Sequence, residues 1–495
     1  LTLSLSLSLL PFPISLLSMQ PSRVLFIRLF SIGWLLTTIT NFPAAFTHTS
    51  LNTAVHLVNS YLNESYSNRG TPLEHAELVL FKSGMNNVWY AAQVAGALLS
   101  AVVCDRLGRK FAYIASIFMM SSASALQTLS TTLLPFPELM IVGRIIMALF
   151  SPLSDAALIL YLQECAPTHL RGTLSSLFST GYAVMCLIGM PLGHESLLGH
   201  SLPLLLFIPL PVGLLSLIFL VFMPETPKYL MITKRDRVGA LRSLAFFQGK
   251  SDHESTLEAL TQEMNNNNDT KSGDGSLKSL LTTPHLRRAM FLSISALFLT
   301  LPFYPILQSS THFFTTIGME RSYAQIQSTL LMVLLTISCL VSTSLMDVIP
   351  RRKLLLTFST LAYSSLFVFS LAAQFGYTTV ASIAVFSFLF AYGVGIGPVA
   401  WCLSPELVPL SHRSIMFCIC YASHSILVVI TNFMTIPLFD IIGGICFIPI
   451  FIVPAFLLII LLYFYLPETA GRETHDIIHE LRCAGKIVGE KAIGA

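Results

Sequence analysis

Apolar and polar residues fall in long alternating blocks along the chain. Apolar runs of about twenty residues, the length that crosses a ~30 Å hydrocarbon core, lie near 24–46, 84–104, 111–130, 138–162, 174–193 and 202–223. A second set lies near 289–310, 325–346, 354–374, 378–402, 415–438 and 444–466. The pattern predicts twelve transmembrane helices and an all-α, polytopic fold. It divides the chain into an N-terminal lead (1–23), a six-helix half (24–224), a polar linker (225–288), a second six-helix half (289–466) and a tail (467–495). In the lead, Leu and Ser alternate over 1–18, which reads as a segment outside the working protein, with Met19 as a plausible start. In the linker, RDRVGALRSLAFFQ and HESTLEALTQEM read as short amphipathic helices.

The second half repeats the first. Asp347 follows Asp105 by 242 residues, Glu406 and Arg413 follow Glu164 and Arg171 by 242, and Pro467-Glu468-Thr469 follows Pro224-Glu225-Thr226 by 243. Each motif stands at the same kind of span end. Such an offset predicts two pseudo-symmetric six-helix halves, with a substrate held near the midplane between them. The charges at these ends read as a gate, ion-paired between neighbouring spans when that side is shut. Its members are Asp105, Arg109, Glu164, Arg171 and Glu225 in the first half, and Asp347, Arg351, Glu406, Arg413 and Glu468 in the second.

The stretch YGVGIGPVAWCLSPELVPLSHR (392–413) departs from a plain apolar run. Glycines at 393, 395 and 397 permit close backbone approach, and Pro398 removes a helix hydrogen bond. Broken helices are tolerated in a bilayer where they line a cavity or are buried in protein. This segment therefore reads as a cavity-lining helix, broken at Pro398, that ends in the charged clasp. The alternative is a glycine packing face between spans.

Composition agrees with the pattern: 54% of residues are hydrophobic, 11% are charged and the mean hydropathy is +0.73. A soluble protein carries about 25% charged residues. The net charge of +3 says less than its placement. With the N-terminus inside, the outer loops hold Arg69, Lys82 and Arg321, while the other loop cations fall inside, as the positive-inside rule requires. Both termini are then cytoplasmic, and the plasma membrane is the expected location. Asn63 begins the sequon Asn-Glu-Ser on the outer side and is the expected glycosylation site. The nine cysteines lie away from the first outer loop, so disulfides, metals and cofactors are not expected. Nor is an enzyme: no nucleophile–base pair or phosphate loop stands out. The expected partners are a small-molecule solute and membrane lipid, not nucleic acid.

Taken together, DRLGRK, Gly143-Arg144, ECAPTHLRG, PETPKYL, the Gly395–Trp401 segment, PELVPLSHR and PETAGR resemble the sugar transporter family of the major facilitator superfamily, and its facilitative glucose transporters in particular. The resemblance spans about residues 24–475. It implies alternating access, a cavity tryptophan at Trp401 near the bound sugar, and the gate network above. Family glucose carriers bind sugar hydroxyls through a glutamine in helix 5, a Gln-Gln pair and an asparagine in helix 7, an asparagine in helix 8, a glutamate in helix 10 and an Asn-Trp pair in helix 11. By motif spacing this chain has Ser179; Phe298, Leu299 and Tyr304; about Leu335; Gly393; and His424-Ser425. Pro350 stands where the family has glycine. An unpartnered buried hydroxyl costs about 1–3 kcal/mol, so other groups must replace the lost amides.

Ionisable side chains deep in the spans are functional candidates. Asp155 and His424 align to cavity-lining positions, and they are expected to replace part of the sugar site. Gln308, able to donate and accept, heads a polar run, Ser309 to His312, at the outer end of helix 7. Arg144 reads as structural, and Arg28 as a snorkelling cation. Span 1 carries no carboxylate for proton coupling. The expected function is facilitative uniport of a hexose or related small polyol. The alternatives are a non-sugar organic solute or a non-transporting nutrient receptor.

Overall fold

A computed structural model describes residues 23–249 and 277–482, except 72–73, 134–135, 168–169, 194–196, 347 and 473, together with 257, 258 and 261. Among the described residues the structure is helical, without strands. Twelve helices are long and apolar enough to cross a membrane. We label them α1 (Leu25–Leu51), α2 (Val88–Leu107), α3 (Arg109–Thr132), α4 (Pro137–Cys165), α5 (Arg171–Leu192) and α6 (Leu202–Phe222). The second half holds α7 (Pro284–Leu307), α8 (Ile326–Leu345), α9 (Arg351–Gln374), α10 (Thr378–Glu406), α11 (Arg413–Cys446) and α12 (Ile448–Tyr465).

α4, α7 and α10 are the most deeply buried spans. Along α4 nearly every residue from Ser151 to Cys165 is buried. On α6, α11 and α12, large apolar side chains such as Phe222, Ile441 and Phe464 stand exposed, as lipid-facing positions should. Small residues set the helix spacing. A Cβ on Gly181 would lie 1.7 Å from Thr37 Cγ2, and one on Gly395 would lie 2.4 Å from Phe358 Cβ. Either would clash.

Three details differ from the hydropathy reading. The helix that contains α2 runs from His75 to Leu107 and so starts well before its apolar window. Span 7 is not one rod. Helices Pro284–Phe298 and Phe303–Thr316 flank a break at 299–302. The break is bridged by short-range bonds, from the Leu299, Thr300 and Leu301 amides to the carbonyls three residues back. Pro302 and Pro305 lack the amides that would continue the ladder. Third, the helix around Pro398 is widened rather than cut. Tyr392–Ile396 form a π turn that leads directly into helix Gly397–Glu406, with Pro398 in its first turn, where a missing N–H is tolerated.

Of the two linker helices expected, the first is Arg237–Gln248, capped by Asp236, whose carboxylate accepts from the Gly239 amide at 2.8 Å. The second falls largely outside the described residues, as do the lead 1–22 and Asp347. Asn63 is exposed on helix Val55–Asn68.

Candidate functional site

Two constellations stand out, a charged cluster at one end of the bundle and a cavity between the halves.

At the charged end, the buried Glu164 accepts from Arg109 at 3.0 Å and from the Thr226 hydroxyl at 2.5 Å. Asp105 lies 3.8 Å from Arg109. Glu225 accepts from the Lys110 and Thr226 amides, each at 2.9 Å. Burial pushes the Glu225 carboxyl above its ordinary range, against the two amides that favour its charge. The second half has the same arrangement. Arg351 donates to the buried Glu406, and Glu468 accepts from the Arg351 and Arg352 amides at 2.9 and 3.1 Å. So Glu164 and Glu406 each pair with the arginine 55 residues earlier, rather than with the arginine seven residues later. Arg413 instead donates to Thr474 at 2.9 Å. Arg171 lines a small pocket with Arg351, Glu406 and Thr469, residues of the other half.

The two halves are in contact along this side. Ser414 donates to Asp105 at 2.5 Å, Ser100 and Cys418 are 2.8 Å apart, and the Thr180 and Thr343 hydroxyls are 2.9 Å apart. Thr336 reaches the Ala183 carbonyl at 3.2 Å. These bonds hold the two halves together.

The cavity holds about 920 Å³ of non-protein space, its mouth included. α10 brings Trp401 and Tyr392 to it, and α11 brings Tyr421, His424 and Ser425. Phe303 and Tyr304 enter from just past the break in α7, Asp155 from α4, and Phe178, Ser179 and Tyr182 from α5. The rings pack on one another. Trp401 lies 5.2 Å from Tyr421, 5.0 Å edge-on from His424 and 5.7 Å from Phe178, centroid to centroid. Phe303 stacks on Tyr392 at 4.3 Å.

Asp155 is 8% exposed and accepts from the Tyr421 hydroxyl at 2.9 Å. Ser151, one helical turn earlier, lines the same cavity. His424 Nε2 lies 2.9 Å from Thr300 Oγ1. The Thr300 proton goes to the Leu297 carbonyl at 2.6 Å, so His424 donates and Nε2 carries the hydrogen. The irregular turn in α7 therefore fixes the orientation of a cavity imidazole.

The structure thus brings Trp401, Ser179, Tyr304, His424 and Asp155 into one space, together with Leu335. Other positions singled out in the sequence lie elsewhere. Leu299 is buried in helix packing, where its carbonyl accepts from Tyr363, and neither it nor Phe298 lines the cavity. Gly393 packs on α8, where a Cβ would lie 2.6 Å from Ser338 Cβ. At the outer end of the helix after the break, Ser310 and Thr311 bond Ser328, and His312 bonds Asp440. These bonds tie helices together outside the cavity. The Gln308 side chain is outside the described residues, and its backbone adjoins the irregular Ser309 (φ −129°). Arg144 sits over the Trp89 ring at 5.6 Å.

Sequence reading missed Tyr421, Trp89, Tyr90, Tyr182 and Phe303 as lining residues. The Thr300–Pro305 run, TLPFYP, carries the one local signal that could have marked the break and the ring positions after it.

Comparison with known proteins agrees with this geometry. The chain is 27% identical over 457 residues to Gallus gallus solute carrier family 2, facilitated glucose transporter member 1, covering 89% of this chain and 91% of the relative. It is 25% identical over 485 residues to Mus musculus member 7 of the same family, covering 94% and 91%. Its fold is similar to that of the major facilitator proton:xylose symporter XylE, solved with 6-bromo-6-deoxy-D-glucose, at a TM-score of 0.77 and 17% identity over 93% of this chain and 99% of that one. These relatives are transporters, not enzymes. The family described as Sugar (and other) transporter matches residues 32–481, and the chain belongs to that family.

Proposed function

We propose that the protein carries a hexose or related small polyol across the plasma membrane by alternating access, as a facilitative uniporter with both termini in the cytoplasm. The observation that carries this reading is the cavity between the halves, lined by Trp401, with inter-half hydrogen bonds Ser414–Asp105 and Thr180–Thr343 beside it. A flat aromatic face suits the apolar side of a sugar ring, and a few polar groups orient it. In this reading Trp401, Ser179, Tyr304, His424, Asp155 and Gln308 handle the solute. The paired charges from Asp105 to Glu468 stabilise the state closed to the cytoplasm. Asn63 carries glycan on the opposite side. Uniport is supported by the absence of any Asp or Glu from 24–46.

A second reading, a non-sugar organic solute, draws on one observation: the amides that line the cavity are Asn41 and Gln93 alone.

Uptake of labelled glucose, fructose and a neutral polyol by cells expressing the chain decides between them. Saturable uptake of at least one sugar is expected, and Trp401→Ala should lower it by at least about tenfold, the factor that 1.4 kcal/mol represents. No saturable uptake of any sugar, with the protein confirmed at the surface, would remove the sugar reading.

A further inference from the structure

Among the residues lining the cavity, Asp155 is the one Asp, Glu, Lys or Arg. Its hydrogen-bond donor is the neutral hydroxyl of Tyr421, and Ser151 lines the cavity one helical turn earlier. Arg144, about three turns back along α4, sits on Trp89 and makes no ion pair with it. His424 has its Nε2–H on Thr300. Among the described residues, the cavity therefore holds a carboxyl without a cationic partner. An ionised carboxylate buried alone is strongly disfavoured, whereas one that meets a cation and hydrogen-bond donors is not.

The walls around it point the same way. Tyr421, the residue that bonds Asp155, lies 5.2 Å from Trp401, and Trp401 lies 5.7 Å from Phe178. Electron-rich ring faces attract ammonium groups, most strongly away from water. A carboxylate set in an aromatic wall offers a protonated amine both attractions at once. A neutral hexose asks for something different, namely donors and acceptors matched to each hydroxyl. The lining supplies tyrosine and serine hydroxyls but only two amides, Asn41 and Gln93, and the Asn41 amide donates to the Thr37 carbonyl at 3.0 Å.

We propose that the solute is a sugar-sized polyol bearing one protonated amine, with the ammonium facing Asp155 and the ring against Trp401. This rests on the cavity being the transport site, and it narrows the solute taken there.

The test uses the purified full-length chain in liposomes, with labelled D-glucosamine, D-glucose and N-acetyl-D-glucosamine. The last keeps the ring and removes the charge. Glucosamine uptake is expected to exceed the other two by at least about tenfold at equal concentration. Asp155→Asn should bring the ratio near one, and Asp155→Glu should restore much of it. Equal handling of the three solutes overturns the proposal, as does a preference that survives Asp155→Asn. So does glucose uptake that moves a proton and loses it in Asp155→Asn, because Asp155 is then a proton site.

A ligand-induced melting shift separates this proposal from the carrier reading. Stabilisation by glucosamine but not glucose, absent in Asp155→Asn, supports the site chemistry even if nothing is transported. No shift and no uptake with any of the three overturns it. If Asp155→Asn does not fold, the glucosamine to N-acetylglucosamine ratio on the unaltered chain still decides.

Discussion

The charged end of the bundle is built twice, and the cavity is built once. At the charged end, Arg109 on Glu164 has its copy in Arg351 on Glu406, and Glu225 on the Lys110 amide has its copy in Glu468 on the Arg352 amide. The same offset of 242 applied to the cavity finds no copies. Trp401 corresponds to Ile159 (401 − 242), Tyr421 to Ser179 (421 − 242), His424 to Tyr182 (424 − 242) and Asp155 to Gly397 (155 + 242). The difference has a physical cause. A buried charge at a helix end must be matched inside its own half, and the same solution works in both. A solute between the halves lacks their two-fold symmetry, so each half contributes different groups.

The largest test of this equivalence lies in the paired charges. Removing one partner of a buried pair leaves the other uncompensated, which costs about 3–5 kcal/mol. Glu164→Ala and Glu406→Ala should therefore lower stability by similar amounts in detergent melts. The Arg351→Ala, Glu406→Ala double variant should lose less than the sum of its singles. A loss confined to one half would break the comparison.

The next effect is steric. Gly395→Ala places a Cβ against Phe358, and overpacking of that kind costs about 1–3 kcal/mol. A melting temperature equal to the parent's would mean that α9 and α10 separate without penalty.

Within the cavity the asymmetry itself is testable. Tyr421→Phe keeps the ring but leaves Asp155 one donor short, at about 1–3 kcal/mol for a buried group. Ser179→Ala, at the corresponding position of the first half, should stay within about 0.5 kcal/mol. Equal losses would mean that the two positions do the same work.

The smallest effect is a pH dependence at the charged face. His412 bonds Ser279 through Nε2 at 2.7 Å and Ser411 through Nδ1 at 2.9 Å. Burial holds its pKa below the usual 6.5. A depressed histidine pKa favours the neutral folded form, so its contribution is full above the unfolded value and is lost as the pH falls through the folded one. Protection factors against hydrogen exchange in Leu277–Thr282 should fall on acidification below 6.5. His412→Gln should flatten that profile.

Much of the fold was legible in the residues. Apolar block length set the twelve spans, because a bilayer demands about twenty apolar residues per crossing whatever the neighbours are. The repeated charged motifs announced two halves and a clasp, Asp155 and His424 were marked by their rarity at depth, and Trp401 by the family resemblance. The partners were not legible. The motifs placed Glu164, Arg109 and Arg171 in one gate without saying which pair, and the structure gives Glu164 to Arg109 of α3. The glycines of 393–397 suggested a cavity; Gly393 and Gly395 proved to be packing contacts, while Tyr392 and Trp401 line the space.

By itself, then, the sequence determined what each stretch must do in a bilayer: cross it, stop at its edge, or pair a charge there. Those are demands of solvation, and they act on each segment locally. Only the tertiary structure decided which side chains meet, including the Tyr421 hydroxyl on Asp155 and the His424 ring on Thr300. Those contacts join residues 266 and 124 positions apart. They depend on how helices rotate and break against one another, which no local pattern along the chain encodes.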